Sequence, residues 1–106
     1  MGLAVWLVLL QGSAASTSKP DYQGTGVIVS LHRPPSELHA TRPVVVLHHD
    51  PVVGLMDETM SMPFIAASTA LFKGFAPGDR VAFGLKVTPD ALLVISLRHR
   101  NEARRR

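Results

Sequence analysis

The sequence predicts an all-β fold, a small five-stranded barrel of the OB type, and three observations carry that expectation. The chain has 106 residues and 46% hydrophobic content, enough for one small domain with its own core. Its apolar stretches are short, rich in β-branched residues and punctuated by proline, glycine and aspartate, while no long segment holds a helical period. Five such strands are too few for a two-sheet sandwich with a thick core, whereas closing them into a barrel removes unpaired edges.

In chain order, Gly2 to Leu10 is an almost unbroken apolar run that ends in the small residues Gly12-Ser13-Ala14-Ala15. This reads as a secretory signal peptide over residues 1–15, too short for the ~20 residues a bilayer span needs. Its removal takes Trp6 with it and leaves a mature protein without tryptophan or membrane span. Residues 16–23 are polar and read as a flexible linker, and the barrel domain is expected over residues 24–98. Gly24 to Leu31 (GTGVIVSL) is the first strand, on its β-branched content, and Arg33-Pro34-Pro35-Ser36-Glu37 is a loop because prolines cannot continue a ladder. Pro43 to His49 is the second strand and is stopped by Asp50-Pro51; Val52 to Thr59 is a connection. Met60 to Ala66 alternates as the third strand, and Ser68 to Phe75 has room for one helical turn. Pro77-Gly78-Asp79 is a turn leading into the fourth strand, Arg80 to Val87; Thr88-Pro89-Asp90 leads into the fifth, Ala91 to Leu97.

The charge is unevenly placed. Of a formal net charge of +3, the last nine residues, Arg98 to Arg106, hold five arginines against one glutamate and so contribute +4, leaving the rest at −1. The basic character therefore belongs to a solvated tail (99–106), not to a phosphate-tracking face, which argues against nucleic acid as a partner. The absence of cysteine excludes disulfides, thiolate metal sites and thiol nucleophiles. With no carboxylate pair, nucleophile–base arrangement or phosphate loop, an enzyme is not expected.

Methionine is scarce but clustered: apart from Met1, the methionines are Met56, Met60 and Met62. Met60 and Met62 stand at i and i+2 of a strand, so both thioethers emerge on one face, which Phe64 continues. His48 and His49 end the preceding strand with opposite parity, so only one can share that face, and Met56 lies in the connection between the strands. An imidazole with two or three thioethers is a soft, neutral donor set suited to Cu(I) or Ag(I); hard ions prefer oxygen. In an oxidising compartment thioethers remain usable where thiols are consumed. Methionine is also an ordinary core filler, and the pattern alone leaves that alternative open. His32, His39 and His99 lie in or beside loops and the tail, and Asp50 and Glu58 read as turn or solvated residues.

The stretch Leu47-His48-His49-Asp50-Pro51-Val52-Val53-Gly54-Leu55-Met56-Asp57-Glu58-Thr59-Met60-Ser61-Met62-Pro63-Phe64 resembles the CusF-like family of periplasmic copper- and silver-binding proteins, as does Phe75-Ala76-Pro77-Gly78-Asp79-Arg80-Val81-Ala82-Phe83. The resemblance runs from about Gly24 to Leu97. It implies a five-stranded OB-type barrel in the periplasm that binds Cu(I) or Ag(I) as a monomeric metallochaperone. It further implies delivery of the ion to the periplasmic adaptor of a tripartite efflux pump. Carried over by position, it makes His49, Met60 and Met62 metal ligands. Family members of one type cover the metal with a tryptophan, where this chain has Asp57; others carry a Gly-Leu-Met segment like Gly54-Leu55-Met56, which adds Met56 as a fourth ligand. The competing expectation is an OB-type module for oligonucleotide or oligosaccharide with its methionines in the core. A detached relative of the metal-binding module of efflux adaptors is a third.

Overall fold

The structure, a computed structural model, describes residues 19–100. The expected signal peptide and most of the arginine tail lie outside the described residues. The elements are β1 (Tyr22–His32), β2 (Val44–His49), β3 (Met60–Ala66), a 3₁₀ turn (Thr69–Phe72), β4 (Arg80–Thr88) and β5 (Ala91–His99). The strands close into a barrel in the order β1-β2-β3-β5-β4, with β4 returning to β1. All neighbours are antiparallel except β3 and β5, which run parallel and pair only at Ile65↔Leu93 and Ala66↔Val94. The all-β barrel read from the sequence is thus the fold observed.

Two strand boundaries differ from the sequence expectation by two residues, the others by at most one. Tyr22 and Gln23, assigned by their polar surroundings to the linker, belong to β1, where they pair with Leu85 and Gly84 of β4. At the other end, Arg98 and His99 continue β5 because Ala82 and Val81 of β4 remain there to pair with them. In both cases ladder bonds to a distant strand override a local composition that favours solvent.

Curvature comes from irregularities in the ladders. Between Ile28 and Ser30 the β1–β2 register shifts, leaving Val29 as the extra, outward residue of a bulge. The interior is filled by Ile28, Val45, Leu47, Val52, Phe64, Ala66, Phe72, Val81, Phe83, Leu85 and Val94. Phe72 reaches this core from the 3₁₀ turn, which is started by the Ser68 hydroxyl accepting from the Ala70 N–H. Burying such an aromatic side chain contributes roughly 1.5–3 kcal/mol, and Phe72 is buried almost completely.

Candidate metal centre

Along β2 the odd-numbered residues Val45, Leu47 and His49 are buried, and His48 points out, where its Nδ1 lies 2.9 Å from the Ser61 hydroxyl. His49 is the one buried polar or charged side chain among the described residues, with no exposed surface. Its Nδ1 is 2.9 Å from the Asp50 carbonyl oxygen. A carbonyl can only accept, so Nδ1 carries the ring proton and Nε2 of the neutral imidazole presents a lone pair. That Nε2 is buried without a hydrogen-bond partner. Leaving such an atom unsatisfied costs on the order of 1–3 kcal/mol, so its persistence requires a reason.

The β2–β3 register places Met60 directly across from His49 and Met62 across from Leu47, with Phe64 across from Val45. Cross-strand partners have their Cβ atoms roughly 4.5–5.5 Å apart on the same face, so Met60, Met62 and His49 share one side of the ribbon. Met60 is 44% exposed, while Met62 is half-buried and packs against the core. Phe64 meets the His49 ring edge-on, with centroids 5.9 Å apart and planes at 65°, and Phe64 in turn packs on Phe83 at 6.0 Å. The imidazole is therefore walled by aromatic surface on its core side, and the register sets Met60 across from it on the same face.

Met56, expected in the connection between the strands, lies there and is tied down. It forms an isolated antiparallel bridge with Val52 and packs against the core. Asp57, at the position of the tryptophan lid in one type of relative, is exposed. Glu58 is exposed too, and Asp50 accepts from the Thr25 hydroxyl at 2.7 Å. The remaining histidines serve local structure. His32 bonds Ser30, the His39 Nδ1 accepts from the backbone N–H groups of Thr41 and Arg42, and the His99 Nε2 is 3.0 Å from the Gly74 carbonyl oxygen. Among the described residues no group of three His, Cys, Asp or Glu side chains is placed to hold a metal ion.

Sequence reasoning missed the glycines that shape this end of the barrel. Gly26 pairs with His49 on one side and Val81 on the other. A Cβ added there would lie 2.5 Å from the His48 carbonyl oxygen and 2.8 Å from the His49 Cα, so only glycine lets β2 approach β1 this closely. The signal was present as Gly24-Thr25-Gly26, two glycines on one face of a strand.

The family described as the copper binding periplasmic protein CusF matches residues 21–99 of the chain. The chain belongs to the CusF family. Two solved structures of CusF from Escherichia coli share its fold. The apo form matches with a TM-score of 0.55 and 22% identity over 80% of this chain and 94% of that one. The Ag(I) form matches with a TM-score of 0.56 and 21% identity over 78% and 96%. No curated protein matches the chain. CusF is a metal-binding family and not a family of enzymes. Among the described residues no helix is long and apolar enough to cross a membrane.

Proposed function

We propose that this protein is a periplasmic metallochaperone that binds a single Cu(I) or Ag(I) ion through His49, Met56, Met60 and Met62. It either sequesters the ion or delivers it to the adaptor of a tripartite efflux pump. It reaches the periplasm as a monomer after export by the leader at residues 1–15. The observation that carries this reading is the partnerless, buried Nε2 of His49, whose lone pair lies on the same face as the thioether of its cross-strand partner Met60. Support also comes from the relatives: the E. coli protein was solved with Ag(I).

The chemistry follows from the donors. The Asp50 carbonyl fixes the tautomer and leaves Nε2 free for the metal, the usual role of an outer hydrogen bond to a ligating histidine. Thioethers are soft and uncharged, so they favour Cu(I) or Ag(I) over zinc or calcium and need no deprotonation to bind.

The test is titration of the mature protein against a Cu(I) chelator under reducing conditions. A single Cu(I) is expected to bind, and the Met60→Leu, Met62→Leu double variant is expected to lose at least about a hundredfold in affinity. That exceeds what a merely supporting residue costs. An unchanged affinity in the double variant would overturn the assignment of these two ligands.

A further inference from the structure

Of the proposed donors, Met56 alone is held by no strand, yet its backbone is fixed. The Met56 N–H donates to the Val52 carbonyl at 2.9 Å, the Val52 N–H donates to the Met56 carbonyl at 2.8 Å, and the Leu55 N–H also reaches the Val52 carbonyl at 2.9 Å. The turn so closed is anchored at its root, because the Val52 side chain is fully buried. Val52 occupies space that Gly24 leaves open: a Cβ on Gly24 would lie 2.9 Å from Val52 Cγ2 and 2.7 Å from Phe83 Cζ. At the tip, Gly54 has φ +87°, in the left-handed region that L side chains avoid. A Cβ there would lie 3.4 Å from Tyr22 Cε1, so the Tyr22 ring supports the tip from below. Val53 is 90% exposed beside it.

This construction exceeds what a connection needs. His49 and Met60 are already cross-strand partners, and a two-residue turn can join such ends. The chain instead departs into the core at Val52, reverses at Gly54 and returns with Met56 before β3 begins.

We propose that the Val52–Met56 turn is a preformed arm whose purpose is to hold the Met56 thioether at the ion. Val52, Gly54, Tyr22 and Gly24 are its positioning residues. The inference rests on the Cu(I) reading above and deepens it. A donor placed before the metal arrives has little ordering left to do on binding, so its contribution to affinity is not consumed by freezing a loop. The turn therefore takes the same form with and without metal, and the arm replaces a lid that must close.

The test is a double-mutant cycle of Gly54→Ala and Met56→Leu, read by Cu(I) competition titration of the full mature chain, with the urea midpoint of each metal-free protein measured alongside. Gly54→Ala is expected to lower affinity about five- to thirtyfold, the size of the penalty for an L side chain in the left-handed region. In the Met56→Leu background it is expected to cause no further loss. Gly54→Asn, which tolerates positive φ, is expected to keep affinity within about twofold. Should Gly54→Ala not fold, Tyr22→Leu takes its place in the same cycle, with a smaller loss that again requires Met56. Equal losses in both backgrounds, or no loss in either, would overturn the arm. Unchanged affinity in Met56→Leu alone would remove Met56 from the ligand set and the arm with it. Absence of Cu(I) binding in the unaltered protein would overturn the function itself.

Discussion

Replacing His49 by leucine is expected to make the metal-free protein more stable and the metal-binding protein useless. The ring contributes one hydrogen bond, from Nδ1–H to the Asp50 carbonyl, worth roughly 0.5–1.5 kcal/mol net. Asp50 is exposed, so its carbonyl finds water once the ring is gone and leaves no new orphan. Against that loss stands the buried, partnerless Nε2, whose desolvation costs on the order of 1–3 kcal/mol and which leucine removes altogether. Leucine is close to imidazole in volume, and the surroundings are apolar: Phe64 edge-on, with Leu47 and Val45 along the same face. The balance favours the variant by about 1 kcal/mol, or ~4–8 °C in Tm for a domain of this size. Urea and thermal unfolding in the presence of a copper chelator measure this directly. Adding Cu(I) at about 100 times the dissociation constant should then stabilise the natural protein by ~2.7 kcal/mol and leave the variant nearly unmoved. A metal-free His49→Leu protein less stable by more than about 1 kcal/mol would refute the reasoning, since it would make His49 a satisfied structural histidine.

Two further outcomes follow from the geometry. Gly26→Ala forces its Cβ against the His48 carbonyl and the His49 Cα, both backbone atoms that cannot swing away. It is expected to cost about 1–3 kcal/mol by urea unfolding and to weaken Cu(I) binding in parallel, because relief of the clash moves His49. Asp90 accepts from the Thr88 hydroxyl and from Arg42, and these contacts, the Thr88 hydrogen bond foremost, hold its carboxyl below the ordinary value of 3.8. A depressed carboxyl stabilises the fold above its unfolded pKa and ceases to do so as pH falls through the folded one. Asp90→Asn should therefore lower the urea midpoint slightly at pH 7, with the difference closing as the pH is taken well below 3.8.

Much of the fold was legible, and the exceptions share a cause. β3 begins at Met60 and ends at Ala66 as the alternation indicates, because polar and apolar residues there face different media. In β2 the run Val44-Val45-Val46-Leu47 is apolar on both faces, so parity showed that only one of His48 and His49 turns inward but not which. That choice is made by the register with β3, where Ser61 takes His48 and Met60 takes His49. Tyr22 joins β1 only through Leu85, over sixty residues away, and nothing near it in sequence announces the contact. The arm under Met56 was hidden for the same reason. Val52 is indistinguishable from the exposed Val53 until Gly24 and Phe83 are brought beside it.

The barrel's one weak seam lies where the metal is proposed to sit. β3 forms ladder pairs with β5 at only two positions, so Met60 to Phe64 is paired to β2 on one side and to no strand on the other. Pro63, which lacks an N–H for a second ladder, suits such a half-paired stretch. Met60 is left accessible there while His49 opposite it is wholly enclosed. In the proposed role this asymmetry matters, because a carrier has to select its ion and also release it. The enclosed nitrogen, fixed by Asp50 and walled by Phe64, gives a rigid point of attachment. The thioethers, neutral and weakly basic, can be displaced one at a time by a receiving protein's donors without any proton having to move. Access for those donors is from the Met60 side, along the unpaired flank of β3. A full β3–β5 ladder would strengthen the barrel and bury that approach.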